Sequence, residues 1–188
     1  RFTFIAMIIL VLAWSMSEIS RELHTADFLI ASLGNSLPAA ALPAVIFVLA
    51  AFTAFSTGSS WGAMGILLPL VLPLCWAIMS MEGLTTGEDY FILYSSVSGV
   101  LAGAVWGDHC SPISDTTVMS SLSAGCDHIE HVRTQLPYAL LAGAAALGAG
   151  TLPTSFGLPW WLGMLAAAAV TVVGLRLLGE PVEDYRPE

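Results

Sequence analysis

The amino-acid sequence predicts an all-α membrane protein, a bundle of transmembrane helices. The first observation is composition: hydrophobic residues make up 56% of the chain and charged residues 10%, whereas soluble domains carry about 25% charged residues. The second is that lysine is absent and that long apolar stretches separate the few charges, as in chains that lie in lipid. The third is that two of these stretches are interrupted by glycine and hydroxylated residues, which predicts a helical hairpin and a broken helix.

Charge and cysteine usage exclude several classes of partner. The net charge of −9 argues against nucleic acid, because no basic face is available to neutralise phosphates. The three cysteines show neither disulfide nor zinc spacing. The segment from Cys126 to His131 lacks a second pair of ligands and is better explained as a polar rim before the next helix. We therefore expect no cofactor and no resident metal.

Five apolar regions define the expected elements. We expect a transmembrane helix over 2–17, a hairpin over 42–81, a broken helix over 90–123, and transmembrane helices over 136–150 and 160–178. The first is interpreted as a membrane helix and not a signal peptide, because further apolar regions follow. The beginning of this helix is expected to be cut off, so the chain is expected to be a piece of a larger protein. Residues 1–188 are expected to form one transmembrane region.

Arginine placement predicts the orientation in the membrane. Whether the region 42–81 returns to its own side or crosses once, four of the five arginines fall on one side, and Arg133, Arg176 and Arg186 stay together. Because basic residues favour the cytoplasmic side, the C-terminus and the solvated tail over 179–188 are expected in the cytoplasm. The predicted location is the inner (plasma) membrane of a bacterium, with several passes.

The first interruption consists of Ser56, Thr57, Gly58, Ser59 and Ser60, between two apolar arms. We expect the arms to form a re-entrant hairpin whose tip, 56–60, lies within the membrane. Hydroxyl and carbonyl oxygens are ligands for hard cations, so these five residues are candidates for ion binding. The alternative is an ordinary loop outside the membrane.

The second interruption, over 107–115, contains Asp108, Pro112 and Asp115. Proline removes a helical hydrogen bond and disfavours helix at the residue before it. An ionised aspartate at the bilayer centre costs about 2.5–3.5 kcal/mol, and this segment supplies no arginine. Both aspartates are therefore expected to bind a cation or a proton, which is the requirement for exchange of two cations at one site. The alternative is an extramembrane loop with two solvated acids.

Neutral side chains accompany these aspartates. Four hydroxylated residues complete the candidate ion site: Ser111, Ser114, Thr116 and Thr117. His109 is either a proton relay or a hydrogen-bonding scaffold. Because neither interruption can face lipid, we expect the two to meet in one wet cavity. Small residues at 95, 99, 103 and 107 recur every four positions and predict a helix-packing face.

A competing interpretation is an intramembrane serine hydrolase. Residues 58–62 match G-x-S-x-G with Ser60 at its centre, and either aspartate with His109 would complete a triad. That motif requires a short strand before the serine. The preceding residues form a long apolar run instead, which argues against the enzyme.

The interrupted segments resemble a known family. Residues 107–121, GDHCSPISDTTVMSS, closely resemble the signature of the NhaC-type Na⁺/H⁺ antiporter family, and residues 126–138 resemble the stretch that follows it there. Residues 55–62, FSTGSSWG, resemble the family's aromatic-hydroxyl-glycine segment, and Ala13-Trp14 and residues 23–27 also fit. The resemblance covers nearly the whole chain and corresponds to the C-terminal half of such transporters.

This resemblance implies a fold and a function. Members of the ion transporter superfamily contain two inverted repeats, each with a re-entrant hairpin and a broken helix, and this chain would be the second repeat. It would need the N-terminal half as a partner, besides the lipid bilayer, and whether it forms a homodimer stays open. The family exchanges Na⁺ for H⁺, or organic acids such as malate and lactate. An organic carboxylate would favour arginine, which is absent from both interruptions, so the sequence favours Na⁺ and H⁺.

Overall fold

The computed structural model describes residues 22–33 and 37–179, together with residues 11, 15, 18 and 19. All regular secondary structure in this part of the chain is helical, and the predicted fold class is confirmed. The helices are α1 (Thr25–Leu33), α2 (Leu42–Thr57), α3 (Ser60–Met81), α4 (Tyr90–Cys110), α5 (Asp115–Ala124), α6 (His128–Ala145), α7 (Leu152–Ser155) and α8 (Trp160–Leu178). The predicted helix over 2–17 lies almost wholly outside the described residues, as does the tail beyond residue 179.

Helices α2 and α3 are joined by a turn of two residues, Gly58 and Ser59. Gly58 ends α2 in the left-handed conformation, with φ of 66°, which glycine adopts without the steric cost of a Cβ atom. Ser59 begins α3 as its N-cap, and its side chain accepts a hydrogen bond from the Gly62 amide. At the far end of the hairpin the Glu82 carboxylate accepts a hydrogen bond of 2.9 Å from the Ala39 amide.

Helix α4 packs directly against α2, and the two run parallel. A Cβ atom at Gly99 would lie 2.8 Å from the Pro43 carbonyl oxygen, and Cβ atoms at Gly103 and Gly107 would collide with the carbonyls of Phe47 and Ala51. Both series of contacts advance by four residues, so one face of α4 stays against one face of α2. The predicted packing role of these glycines is confirmed, because only glycine allows backbones this close.

The buried core lies between α2, α3 and α4. It includes Leu42 and Ile46 of α2, Leu67 and Ile78 of α3, and Val100 of α4. Helix α6 packs on the outside of α4, where the Trp106 indole donates a 2.7 Å hydrogen bond to the Ala139 carbonyl. Of the residues in α8, only Gly163 is buried, so most of that helix presents apolar side chains to its surroundings.

Two helix ends differ from the predicted boundaries. The break was expected from residue 107, but α4 continues to Cys110, because Pro112 ends the helix and Gly107 only packs within it. The fourth region was expected over 136–150, but α6 begins at His128. Its N-cap, Asp127, accepts hydrogen bonds from the amides of Ile129 and Glu130.

That same helix also ends later than expected. A π-helical segment over Ala146–Thr151 continues it into α7, which ends at Ser155. A π-helical turn suits the residues before Pro153, because proline has no N–H group and its ring would clash with the carbonyl four residues earlier in an α-helix. Part of the segment between the two expected helices, up to Ser155, is therefore helical.

Five of the described helical segments are long and apolar enough to cross a membrane: Ala39–Thr57, Ser60–Met81, Tyr90–Cys110, His128–Ser155 and Trp160–Leu178. A multi-pass membrane protein follows from this number. Each arm of the hairpin by itself reaches the roughly 20 residues that a crossing requires. Re-entrant insertion of the hairpin therefore stays a prediction.

Candidate ion-binding site

Asp108 lies near the end of α4 and is buried, with 6% of its surface exposed. Three hydroxyl groups donate hydrogen bonds to its carboxylate: Ser114 to Oδ1 at 2.7 Å, and Ser60 and Thr116 to Oδ2 at 3.3 and 3.4 Å. The Ser114 and Thr116 hydroxyls also lie 2.8 Å apart. One carboxylate and three hydroxyls thus form a compact set of oxygen atoms, the kind of ligand that hard cations prefer.

The two interruptions lie against each other, as predicted. Ser60 is the first residue of α3, so its bond to Asp108 connects the hairpin turn to the broken helix. Gly58 packs on the backbone of the second interruption: a Cβ atom there would lie 2.8 Å from the Ile113 carbonyl oxygen. The fold produces this contact because parallel packing of α2 and α4 brings their C-terminal ends to the same level.

Several carbonyls freed by the interruptions are already paired. The Phe55 carbonyl accepts a 2.7 Å bond from the Ser111 hydroxyl, and the His109 carbonyl accepts bonds from Gln135 at 2.9 Å and Thr117 at 3.4 Å. The Pro112 carbonyl lies 2.7 Å from Nε2 of His128. These donors satisfy backbone groups that a helix end leaves unpaired. The hydroxyls and the Asp108 carboxylate are therefore the better candidates for ion ligands.

Asp115 is not part of this cluster. It begins α5 and is exposed, and within the described part of the chain its carboxylate makes no hydrogen bond to Asp108 or its hydroxyl partners. The His109 ring is likewise exposed, while its main-chain carbonyl is the group that makes contacts. Joint binding of one ion by both aspartates, and proton relay by His109, stay predictions.

Two other candidate hydroxyl groups of the hairpin tip make hydrogen bonds within their own helix or helix end. The Thr57 hydroxyl donates 2.9 Å to the Thr53 carbonyl of its own helix, and the Ser59 hydroxyl caps α3. Ser56 is exposed in the last turn of α2. Of the hydroxyl groups in 56–60, Ser60 is the one that contacts Asp108.

Sequence reasoning did not single out Gln135 or His128 as part of the site. Both reach the second interruption from α6, with Gln135 bonded to the His109 carbonyl and His128 to the Pro112 carbonyl. Each contact joins residues far apart in the chain. No local pattern could have indicated them.

Two helix N-termini meet at Asp108. Ser60 is the first residue of α3, while Ser114 is the N-cap of α5 and Thr116 lies in its first turn. The N-terminus of a helix carries a partial positive charge that attracts carboxylates and other anions. These ends can support the negative charge of Asp108 or, beside it, that of an anionic ligand.

The geometry argues against a hydrolase. The residues before Ser60 form helix α2 and a turn, so the strand that the G-x-S-x-G elbow requires is missing here. The Ser60 hydroxyl bonds to Asp108, and in the described part of the chain the His109 ring makes no hydrogen bond to it. Among the hydrogen bonds of the described residues, Ser60 therefore lacks the histidine partner that a Ser-His-Asp triad requires.

Comparison with known proteins yields bacterial relatives, two of which are named as antiporters. The chain is 40% identical over 168 residues to an uncharacterized protein of Haemophilus influenzae, an alignment that covers 89% of this chain and 30% of that protein. It is 35% identical over 98 residues to an uncharacterized Na(+)/H(+) antiporter of the same organism, covering 50% of this chain and 19% of the relative. It is 31% identical over 90 residues to the malate-2H(+)/Na(+)-lactate antiporter of Bacillus subtilis, covering 47% and 17% respectively.

The chain thus spans less than a third of the length of these relatives. No solved structure matches it. The Na⁺/H⁺ antiporter family matches residues 2–151, which include both interruptions and the whole Asp108 cluster. This is a family of antiporters and not of enzymes, in agreement with the geometry around Ser60. The chain belongs to the Na⁺/H⁺ antiporter family.

Proposed function

We propose that this chain supplies half of the ion site of a secondary transporter that exchanges Na⁺ for H⁺, with Asp108 as the group that binds either cation. The observation that carries the proposal is a buried carboxylate that is surrounded by hydroxyl oxygens and has no basic partner among the described residues. Its contacts are Ser60, Ser114 and Thr116. The ion pair of Arg133, in the described part of the chain, is with Glu130, outside this cluster.

Coupling follows from the cost of a buried charge. An ionised carboxylate within a membrane costs about 2.5–3.5 kcal/mol or more, and Asp108 is only 6% exposed. A proton or a Na⁺ ion each neutralises it, so the site is favourable when loaded with one or the other and unfavourable when empty. A carrier that reorients only when loaded must return with one cation after releasing the other, which is exchange.

The hydroxyl groups around Asp108 suit both the proton-loaded and the Na⁺-loaded state of such a site. Each can donate to the carboxylate while its oxygen lone pairs stay available to a cation. Ser60 brings the hairpin to the ion, and Ser114 and Thr116 bring the N-terminus of α5. We propose that Ser111, Thr117 and the remaining residues of 56–60 support this arrangement, that Asp115 attracts the cation from the exposed rim, and that an N-terminal repeat of the same protein supplies the opposite wall.

A second candidate is organic acid exchange coupled to Na⁺ or H⁺. One observation favours it: two helix N-termini converge at Asp108, and helix N-termini bind carboxylates of substrates in transporters. A relative that is 31% identical is named a malate-2H(+)/Na(+)-lactate antiporter. With Asp108 neutralised, the same N-termini would attract a substrate carboxylate.

The experiment that separates the two uses the full-length protein in proteoliposomes with an imposed pH gradient. We expect external Na⁺ to dissipate the gradient in the absence of any organic acid, and Asp108→Asn to abolish the response. A response that requires malate or lactate inside the vesicles would establish the second candidate. No response to either class would overturn both.

The setting of this site is also part of the proposal. The relatives come from bacteria, and five described segments are suited to crossing a membrane. We propose a multi-pass protein of the bacterial inner membrane with its C-terminus in the cytoplasm, on the side of Arg133 and Arg176. Cysteine labelling from either side of the membrane at residue 177 would test this orientation.

A further inference from the structure

The imidazole of His128 bridges two parts of the second interruption. Its Nε2 atom lies 2.7 Å from the Pro112 carbonyl oxygen, and its Nδ1 atom lies 3.0 Å from the Ser121 hydroxyl. Pro112 lies in the break between α4 and α5, and Ser121 is buried in α5. We propose that His128 is a positioning residue for the ion site, holding the break in the shape that presents Ser114 to Asp108.

Hydrogen-bond accounting assigns the role of each ring nitrogen. A carbonyl oxygen only accepts, so Nε2 must carry a proton and donate to Pro112. The Ser121 hydroxyl is also 2.9 Å from the Val118 carbonyl, and it can donate to that carbonyl or to Nδ1. A neutral ring therefore accepts from Ser121 and a charged ring donates to it. The bond to Pro112 persists in both states.

The Pro112 carbonyl lies between the two residues of the break that make contacts important for the site, Ser111 and Ser114. The preceding residue, Ser111, is bonded to the end of α2 through the Phe55 carbonyl. Two residues after Pro112, Ser114 makes the shortest bond to Asp108, at 2.7 Å. The backbone of the break has two turn hydrogen bonds, from the Ser111 amide to the Asp108 carbonyl at 3.0 Å and from the Ser114 amide to the Ser111 carbonyl at 3.3 Å, in place of the continuous series of a helix. The hydrogen bond from His128 to the Pro112 carbonyl therefore limits how far Ser114 can move from Asp108.

This role differs from those that a histidine more often has at an ion site. Both ring nitrogens are occupied by protein groups, which leaves no lone pair directed at the transported cation. Among the described residues, the ring makes no hydrogen bond to Asp108 or to its hydroxyl partners. His128 therefore acts through Pro112 and Ser114, and it is not itself a ligand.

The test rests on the proposed Na⁺/H⁺ exchange and uses the full-length protein. His128→Gln retains an N–H donor that can reach Pro112, while His128→Leu removes it. We expect His128→Leu to raise the Na⁺ concentration for half-maximal exchange by about 3- to 10-fold, the size of one lost hydrogen bond, and His128→Gln to restore most of the affinity. The matched control is His131→Leu on the same helix, whose ring makes no hydrogen bond within the described contacts.

A purely structural histidine would give a different pattern. Replacing it would then lower the amount of folded protein or the maximal rate and leave the half-maximal Na⁺ concentration unchanged. His128→Gln and His128→Leu would have the same effect. That result overturns the proposal. Ser121→Ala provides a milder variant should His128→Leu not fold. We expect it to weaken Na⁺ affinity by less than His128→Leu, because Pro112 keeps its donor.

A second measurement distinguishes failure of this inference from failure of the exchange function. Amide hydrogen exchange over residues 111–117 reports the order of the break without transport. We expect faster exchange in His128→Leu than in wild type, and near wild-type exchange in His128→Gln. If the variants differ in hydrogen exchange in this way but the wild-type protein shows no Na⁺-dependent transport, the proposed transport function is overturned and the role of His128 is not. Equal hydrogen exchange in all variants overturns the role of His128.

Discussion

The Ser111 hydroxyl donates a 2.7 Å hydrogen bond to the main-chain carbonyl of Phe55. This bond joins the end of α2 to the start of the break after α4, and Ser111 is fully buried. We predict that Ser111→Ala destabilises the protein by about 1–3 kcal/mol, because the Phe55 carbonyl loses its partner. Thermal unfolding of the purified protein measures the loss. Ser111→Thr keeps the hydroxyl, and equal stability of all three proteins would show that the bond is unimportant.

The two aspartates are predicted to differ in importance. Asp108 is buried among hydroxyl groups, whereas Asp115 is exposed at the start of α5. We expect Asp108→Asn to reduce Na⁺-driven exchange to the background of empty vesicles, since an amide cannot exchange a proton for a cation. Asp115→Asn should keep most of the rate but weaken apparent Na⁺ affinity. Loss of exchange in both variants would favour a site at which both carboxylates bind one ion.

The contact between α2 and α4 predicts a strong effect of one methyl group. A Cβ atom at Gly107 would collide with the carbonyl of Ala51, so Gly107→Ala should destabilise the protein by about 1–3 kcal/mol, the cost of overpacking. Gly148, also helical, has open space around the corresponding position. Gly148→Ala is the matched control and should change stability by no more than about 1 kcal/mol. Thermal unfolding compares the two, and similar melting temperatures would contradict the close approach.

The open end of the hairpin is held by Glu82, whose carboxylate accepts a 2.9 Å bond from the Ala39 amide. We predict that Glu82→Ala lowers stability by about 1 kcal/mol, the contribution of a typical hydrogen bond. Glu82→Gln retains an acceptor oxygen and should remain near wild type. The melting temperatures of both variants decide the matter. A Gln variant as unstable as the Ala variant would indicate that the charge matters and the bond does not.

Much of the site follows from solvation and spacing. The sequence predicted that the two interruptions would meet, because unpaired backbone groups in lipid must find polar partners, and Ser60 contacts Asp108 accordingly. The four-residue spacing of glycines in α4 predicted a packing face in the same way. These inferences succeed because each depends on a local property, either a break in a helix or a repeated small residue.

Boundaries and tertiary contacts were harder to predict. The start of α6 was readable from Asp127 and Glu130, which match an N-cap followed three residues later by glutamate, yet the apolar pattern alone placed it later. The bond from His128 to Pro112 joins α6 to a break, and it depends on how α6 packs beside α4. Composition and periodicity carry no information about such a contact.

The central claim is that the hairpin turn and the broken helix form one ion site, and a double-mutant cycle tests it most directly. Ser60→Ala alters the hairpin side and Ser114→Ala the broken-helix side, and both hydroxyls donate to Asp108. Na⁺ affinity of the full-length protein, from the concentration dependence of exchange, is measured for both single variants and the double variant. Ser60→Ala combined with Ser120→Ala is the control, because Ser120 is bonded to its own helix at the Thr116 carbonyl.

We predict that each of Ser60→Ala and Ser114→Ala weakens Na⁺ affinity and that their effects are not additive, with a coupling energy of about 0.5–3 kcal/mol, as for residues in one network. The control pair should be additive. Additive effects of Ser60→Ala and Ser114→Ala, or no effect of either on Na⁺ affinity, would contradict a shared site.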